Sequence, residues 1–176
     1  CMTALFFAAP LAIVETLGLP SEAHWKVYLP VLLVSVLPVL LLSRRAEHSG
    51  RLHAFFVSAI ALLAVALALA GELHTHAVGL VLALLLYFTA FNFLEGSLPS
   101  MISRRAPARQ RGAAMGIYAT AQFLGGFFGS SIGGYALGHW GPGGVFACAA
   151  LLPVIWLVFA YKPAPGMLTS PFFIHS

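Results

Sequence analysis

Two long apolar runs bracket one short basic stretch in the middle of this chain, and that arrangement constrains the fold more than any other feature. Between Ala77 and Leu98 the single charged residue is Glu95, and between Gly112 and Leu137 there is none. The piece joining them carries Arg104, Arg105, Arg109 and Arg111. A helix needs about 20 predominantly apolar residues to cross the hydrocarbon core of a bilayer. The runs are too long for membrane strands and lack their in/out alternation. Charged residues make up 8% of the chain, against roughly 25% in a soluble domain. Such a chain cannot cover a globule with polar surface, so its solvent has to be lipid.

Four more apolar runs complete the pattern: about Met2–Leu17, Val27–Leu42, Ala54–Ala70 and Gly144–Tyr161. The expectation is an all-α membrane protein with six spans over residues 1–162, followed by a short cytoplasmic tail at 163–176. Pro30 and Pro38 lie inside the second run, where neighbouring helices can satisfy the freed backbone groups. Pro163 and Pro165 stop any continuation of the last helix. The slightly short first run and the start at Cys1 read as an excision from a longer chain.

The basic residues set the expected orientation. Of the 9 Lys and Arg, Arg44, Arg45 and Arg51 fall between the second and third runs, the four arginines above between the fourth and fifth, and Lys162 after the last. Only Lys26 lies on the other side. The positive-inside rule then makes the arginine loops and both chain ends cytoplasmic. The net charge of +4 is thus spent on topology and not on nucleic acid. Trp25 and Trp140 fall at the opposite interface, as anchors would.

Polar residues inside the spans are uneven. The third run holds only Ser58, while the fourth and fifth hold Thr89, Asn92, Glu95, Tyr118, Thr120, Gln122, Ser130 and Ser131. The third and sixth spans are therefore expected to face lipid and the fourth and fifth to lie inside. Two triplets, each with its greasiest helix last, fit a pair of three-helix repeats inverted relative to one another.

An ionisable residue inside a span is a functional hypothesis by default. Glu95 is a candidate proton site. The structural alternative is a cytoplasmic lock with Arg104, Arg105 or Arg111. Pro99, four residues on, places it about one turn from the cytoplasmic boundary. Asn92 lies one turn nearer the centre and, with Tyr118 and Gln122 at i, i+4 spacing, forms the candidate substrate group. Gly125, Gly129 and Gly133 form one stripe of small residues, with Gly126 and Gly134 in the stripe beside it. Small residues let helix backbones approach closely in lipid, so this face is expected to pack against another helix, or against another half that rocks over it. Glu72, His74 and His76 do not supply the placed ligands of a metal site. The serine-rich pieces lack the base that a nucleophile needs. Neither a cofactor nor an enzyme activity is expected.

The segments FNFLEGSLPSMISRRAPARQRGAAMGIYATAQFLGG and EAHWKVYLPVLL resemble major facilitator superfamily transporters. The first resembles their tenth helix, cytoplasmic loop and eleventh helix. The nearest likeness is the YajR-like group of bacterial inner-membrane proteins, placed with the drug:proton antiporters. The resemblance implies that the chain is the C-terminal half, helices seven to twelve, of a twelve-helix fold with its substrate cavity between two halves. It implies helices seven, eight, ten and eleven at the cavity and nine and twelve towards lipid. SRRAEHSGRLH would hold the place of a basic loop whose acidic member is absent here.

The function expected from this likeness is proton-coupled secondary transport, with export of small molecules by alternating access. The partners implied are the missing N-terminal half, the lipid bilayer, protons and a small solute whose identity the chain does not give. Two other readings stay open: a six-helix protein that dimerises with itself, and a membrane sensor or scaffold that moves nothing.

Overall fold

The computed structural model describes residues 2–161. They form five α-helices and two short 3-10 turns, with no strand among the described residues. The helices are α1 (Met2–Leu17), α2 (Trp25–His48), α3 (Leu52–Leu73), α4 (Ala77–Arg105) and α5 (Arg111–Tyr161). Four helical stretches, which contain α2 to α5, are long and apolar enough to cross a bilayer, and α1 is shorter. The expected tail and Lys162 lie outside the described residues.

Local sequence explains where the helices stop. Gly18 follows α1 with φ 61° and Gly50 follows α2 with φ 64°, the left-handed backbone that ends many helices and suits glycine. Gly18 N–H bonds back to the Val14 carbonyl at 3.0 Å. Ala106, which precedes Pro107, is extended with φ −73° and ψ 135°, as the proline ring requires of its neighbour. Prolines inside α1, α2 and α4 do not end them.

The fifth and sixth expected spans are the two arms of the 51-residue α5, which leaves helical geometry at Gly141 with φ 66° and ψ −169°. A straight helix of that length would extend about 75 Å, well beyond the roughly 30 Å of a bilayer core. Gly141 divides it into an arm at 111–140 and an arm at 142–161. The second arm runs antiparallel to α3. Phe56 meets Trp156 edge-on at 5.5 Å, and at the other end the Cα of Gly71 faces Phe146 and Gly143.

α2 and α4 run parallel, with Tyr28 against Phe88 and Ser35 against Asn92. Their C-termini therefore share one end of the bundle. This corrects the placing of the arginines in loops: Arg44 and Arg45 lie within α2, Arg104 and Arg105 form the last turn of α4, and Arg111 opens α5. Only Arg51 and Arg109 fall between the long helices, and all seven are exposed. Cations in a last helical turn are favoured by the helix dipole. At the other end Thr16 of α1 donates to the His74 carbonyl after α3 at 2.5 Å, and Trp25 and Trp140 are exposed.

The packing departs from the polarity reading. α3 is one of the most enclosed helices and buries Phe56, Ala59, Ile60, Leu63, Ala66, Leu67 and Ala70, at the spacing of one helical face. α4 buries a matching set from Leu80 to Leu94. Open apolar surface belongs to α2 and to both arms of α5, where Leu33 is 64%, Phe123 80% and Phe159 73% exposed, so the departure concerns α3 and not the second arm of α5. Within one bundle, apolar helices such as α3 bury each other. Of the two helices richest in polar groups, α4 is enclosed and the first arm of α5 keeps a face uncovered by this chain.

Candidate functional site

The hydroxyls inside the helices are mostly satisfied by their own backbone. Thr89, Thr120, Ser130 and Ser131 each donate to the carbonyl four residues earlier, and Ser35 to the carbonyl three residues earlier. Such bonds use up the hydroxyl proton and leave little to join helices. The longer amide and carboxylate side chains are the ones that reach across.

Asn92 and Gln122 do so among the described residues. Asn92 Nδ2 donates to Ser35 Oγ at 3.4 Å, tying α4 to α2. Gln122 Nε2 donates to Glu95 Oε1, tying α4 to the first arm of α5. Asn92 and Glu95 were expected to share a face. The structure sends them to different neighbours, because three residues along a helix leave a rotation of about 60°, enough to change partners. Tyr118, one turn before Gln122, is half-buried and lies within reach of the Glu95 charge.

α4 continues through Pro99 to Arg105, so Glu95 lies about 15 Å before the helix end, at 1.5 Å for each of the 105 − 95 residues. It is exposed, as is Gln122, and the partner found on its Oε1 is a neutral carboxamide.

Both residues line an open cavity of about 340 Å³. α4 supplies Phe91, Leu94 and Leu98, and the first arm of α5 supplies Gly125 and Gly126. α3 supplies Leu63, and the second arm supplies Leu152, Pro153 and Trp156. The walls are carbon except at the Glu95–Gln122 pair, the character of a small-molecule pocket. Leu63 and Trp156 come from the spans expected at the periphery. Sequence polarity gave no signal for them, since an apolar wall reads the same as a lipid-facing one.

The glycine face divides in two. Gly133 is buried and Gly126 and Gly129 are half-buried. Gly125 and Gly134 are exposed, and an added Cβ at either would meet nothing within 4 Å. Among the described residues no group of three potential metal ligands occurs.

The sequence pattern of the Major Facilitator Superfamily matches residues 1–171. The chain is 39% identical over 158 residues to the inner membrane transport protein YajR of Escherichia coli strain K12, a match that covers 88% of this chain and 34% of that protein. It is 33% identical over 115 residues to the uncharacterized transporter BU466 of Buchnera aphidicola subsp. Acyrthosiphon pisum (strain APS), covering 65% of this chain and 30% of that one. The chain thus spans about a third of the length of these curated relatives. Helices of bilayer length, an apolar cavity with one carboxylate–amide pair, and these matches lead to one conclusion: the chain is an integral membrane protein that belongs to the Major Facilitator Superfamily.

Proposed function

We propose that this chain is the C-terminal six-helix half of a proton-coupled secondary transporter of the bacterial inner membrane. In this reading residues 1–162 form six spans, namely α1 to α4 and the two arms of α5, arranged as two inverted three-helix repeats. The arginine-bearing end and both chain ends are cytoplasmic. A preceding half of similar size covers the open face of α2 and α5, including Gly125 and Gly134, and the two halves rock around a solute, exporting it. The partial coverage of the YajR relative supports the existence of that second half.

The observation that carries the proton coupling is the Glu95–Gln122 bond beside the cavity. An ionised carboxylate accepts from the Gln122 amide, and a charge-assisted bond of this kind is stronger than a neutral one. A protonated Glu95 gains an O–H donor and keeps a neutral carbonyl acceptor, so the Gln122 amide either holds a weaker bond to that carbonyl or turns over to accept from the new O–H. Protonation therefore changes the strength or sense of the joint between α4 and α5. A proton that binds one arrangement better than the other shifts the population between them.

The test is reconstitution of the full-length protein in proteoliposomes, where an imposed pH gradient is expected to drive solute flux. The competing six-helix reading is separated by native size. A discrete dimer of this chain alone that moves solute would overturn the half-transporter assignment.

A further inference from the structure

A second cavity lies towards the arginine-bearing end of the bundle. It is an open groove of about 70 Å³ between α2 and α3, floored by α4. Leu42 of α2, Phe55, Ser58 and Leu62 of α3, and Ala90 and Phe93 of α4 line it. The Ser58 hydroxyl donates to the Ala54 carbonyl at 2.9 Å, so the walls offer carbon to an occupant. A pocket for a whole small molecule measures about 300–1,000 Å³. This groove is smaller, and it suits a segment of a longer apolar chain whose remainder lies outside.

The mouth of the groove is basic. α2 ends at His48 and α3 begins at Leu52, and Gly50 turns the chain between them with φ 64°. Arg45 follows Leu42 by three residues, and Arg51 precedes Phe55 by four. Those spacings put each arginine on the face of its lining residue, about 4.5 Å and 6 Å nearer the helix ends. Both arginines are exposed. Glu47 is the one acid of α2, and five residues of helix place it about 140° round from Leu42. A guanidinium binds phosphate oxygens in a two-pronged fork, while its stem lies along apolar surface. Basic pockets between helices at a membrane face are where anionic lipid headgroups bind.

We infer that this groove is a site for an anionic phospholipid, with the phosphate between Arg45 and Arg51 and one acyl tail against Leu42, Phe55, Leu62 and Phe93. The charge at the mouth selects the head, and the narrow carbon channel selects the tail. None of the described lining residues belongs to α5, so the site is separate from the glycine face and from the Glu95–Gln122 pair. The inference rests on the membrane assignment alone and does not require that transport be proton-driven.

The experiment titrates phosphatidylglycerol into the delipidated full-length protein in neutral detergent and counts bound lipid by native mass spectrometry. Phosphatidylglycerol is expected to bind on the order of tenfold more tightly than phosphatidylcholine, which carries the same tails on a zwitterionic head. Arg45→Gln and Arg51→Gln should each weaken the tightest phosphatidylglycerol step by about fivefold. Arg109→Gln, at an exposed arginine between α4 and α5, should leave that step unchanged. Ser58→Phe fills the groove and should weaken the same step with every arginine in place. Ser58→Leu repeats the test if the Phe variant folds poorly. Inorganic phosphate should not displace the lipid. Equal binding of the two lipids, equal losses in Arg45→Gln and Arg109→Gln, full binding in a folded Ser58 variant, or displacement by inorganic phosphate overturns the inference.

Discussion

The Gln122 side-chain amide donates to the Glu95 carboxylate at 2.5 Å and so joins the first arm of α5 to α4. It ties two helices through side chains, so its loss should be felt. Hydrogen bonds between membrane helices average about 0.6 kcal/mol, and both groups here are exposed, which keeps the value low. Gln122→Leu is expected to lower stability by about 0.5–1 kcal/mol in unfolding from mixed micelles. Gln122→Glu should cost more, because it sets two carboxylates against each other.

The break in α5 depends on Gly141. Its φ of 66° with ψ of −169° lies in a region open to glycine and closed to residues with a Cβ. Gly141→Ala should cost about 1–3 kcal/mol. Gly144→Ala tests the same corner by crowding, since a Cβ there would overlap the Trp140 Cβ across the break. Overpacking of this kind costs about 1–3 kcal/mol. Gly138→Ala is the reference, because its Cβ would meet nothing within 4 Å, and unfolding of this chain should barely change.

The long contact from Asn92 to Ser35 predicts a weak coupling. A double-mutant cycle with Asn92→Ala and Ser35→Ala should give about 0.6 kcal/mol or less. If Asn92 also meets solute, Asn92→Ala should weaken apparent affinity while Ser35→Ala leaves it unchanged.

The open glycines carry a prediction about the other half. In the full-length protein, Gly134→Leu should slow transport without lowering the stability of this half expressed by itself. Equal stability loss in both settings would mean that the contact lies within this chain.

Much of the fold was legible in the sequence, and the reasons can be stated. Runs of apolar residues fix where helices lie, and the arginines fix which ends gather together. Two things escaped. The sharp corner between the two arms of α5 rests on the backbone angle of Gly141, which composition does not record. The burial of α3 escaped because polarity was taken as the mark of an interior, whereas Phe56, Leu63 and Leu67 are buried by equally apolar neighbours. At the site, Glu95 and Gln122 were found as isolated polar residues, but their pairing was not, since it depends on the register between α4 and α5.

If protonation of Glu95 biases the arrangement of two rocking halves, electron-resonance distance measurement on the full-length transporter should reveal it. Spin labels would sit at Ser49→Cys, at the arginine-bearing end of α2, and at the matching end of the other half, in an otherwise cysteine-free background. The distance distribution is expected to shift between alkaline and acidic buffer. In Glu95→Gln it should stay at the wild-type acidic distribution in both. A Glu95→Gln protein that still follows pH as the wild type does would contradict the account.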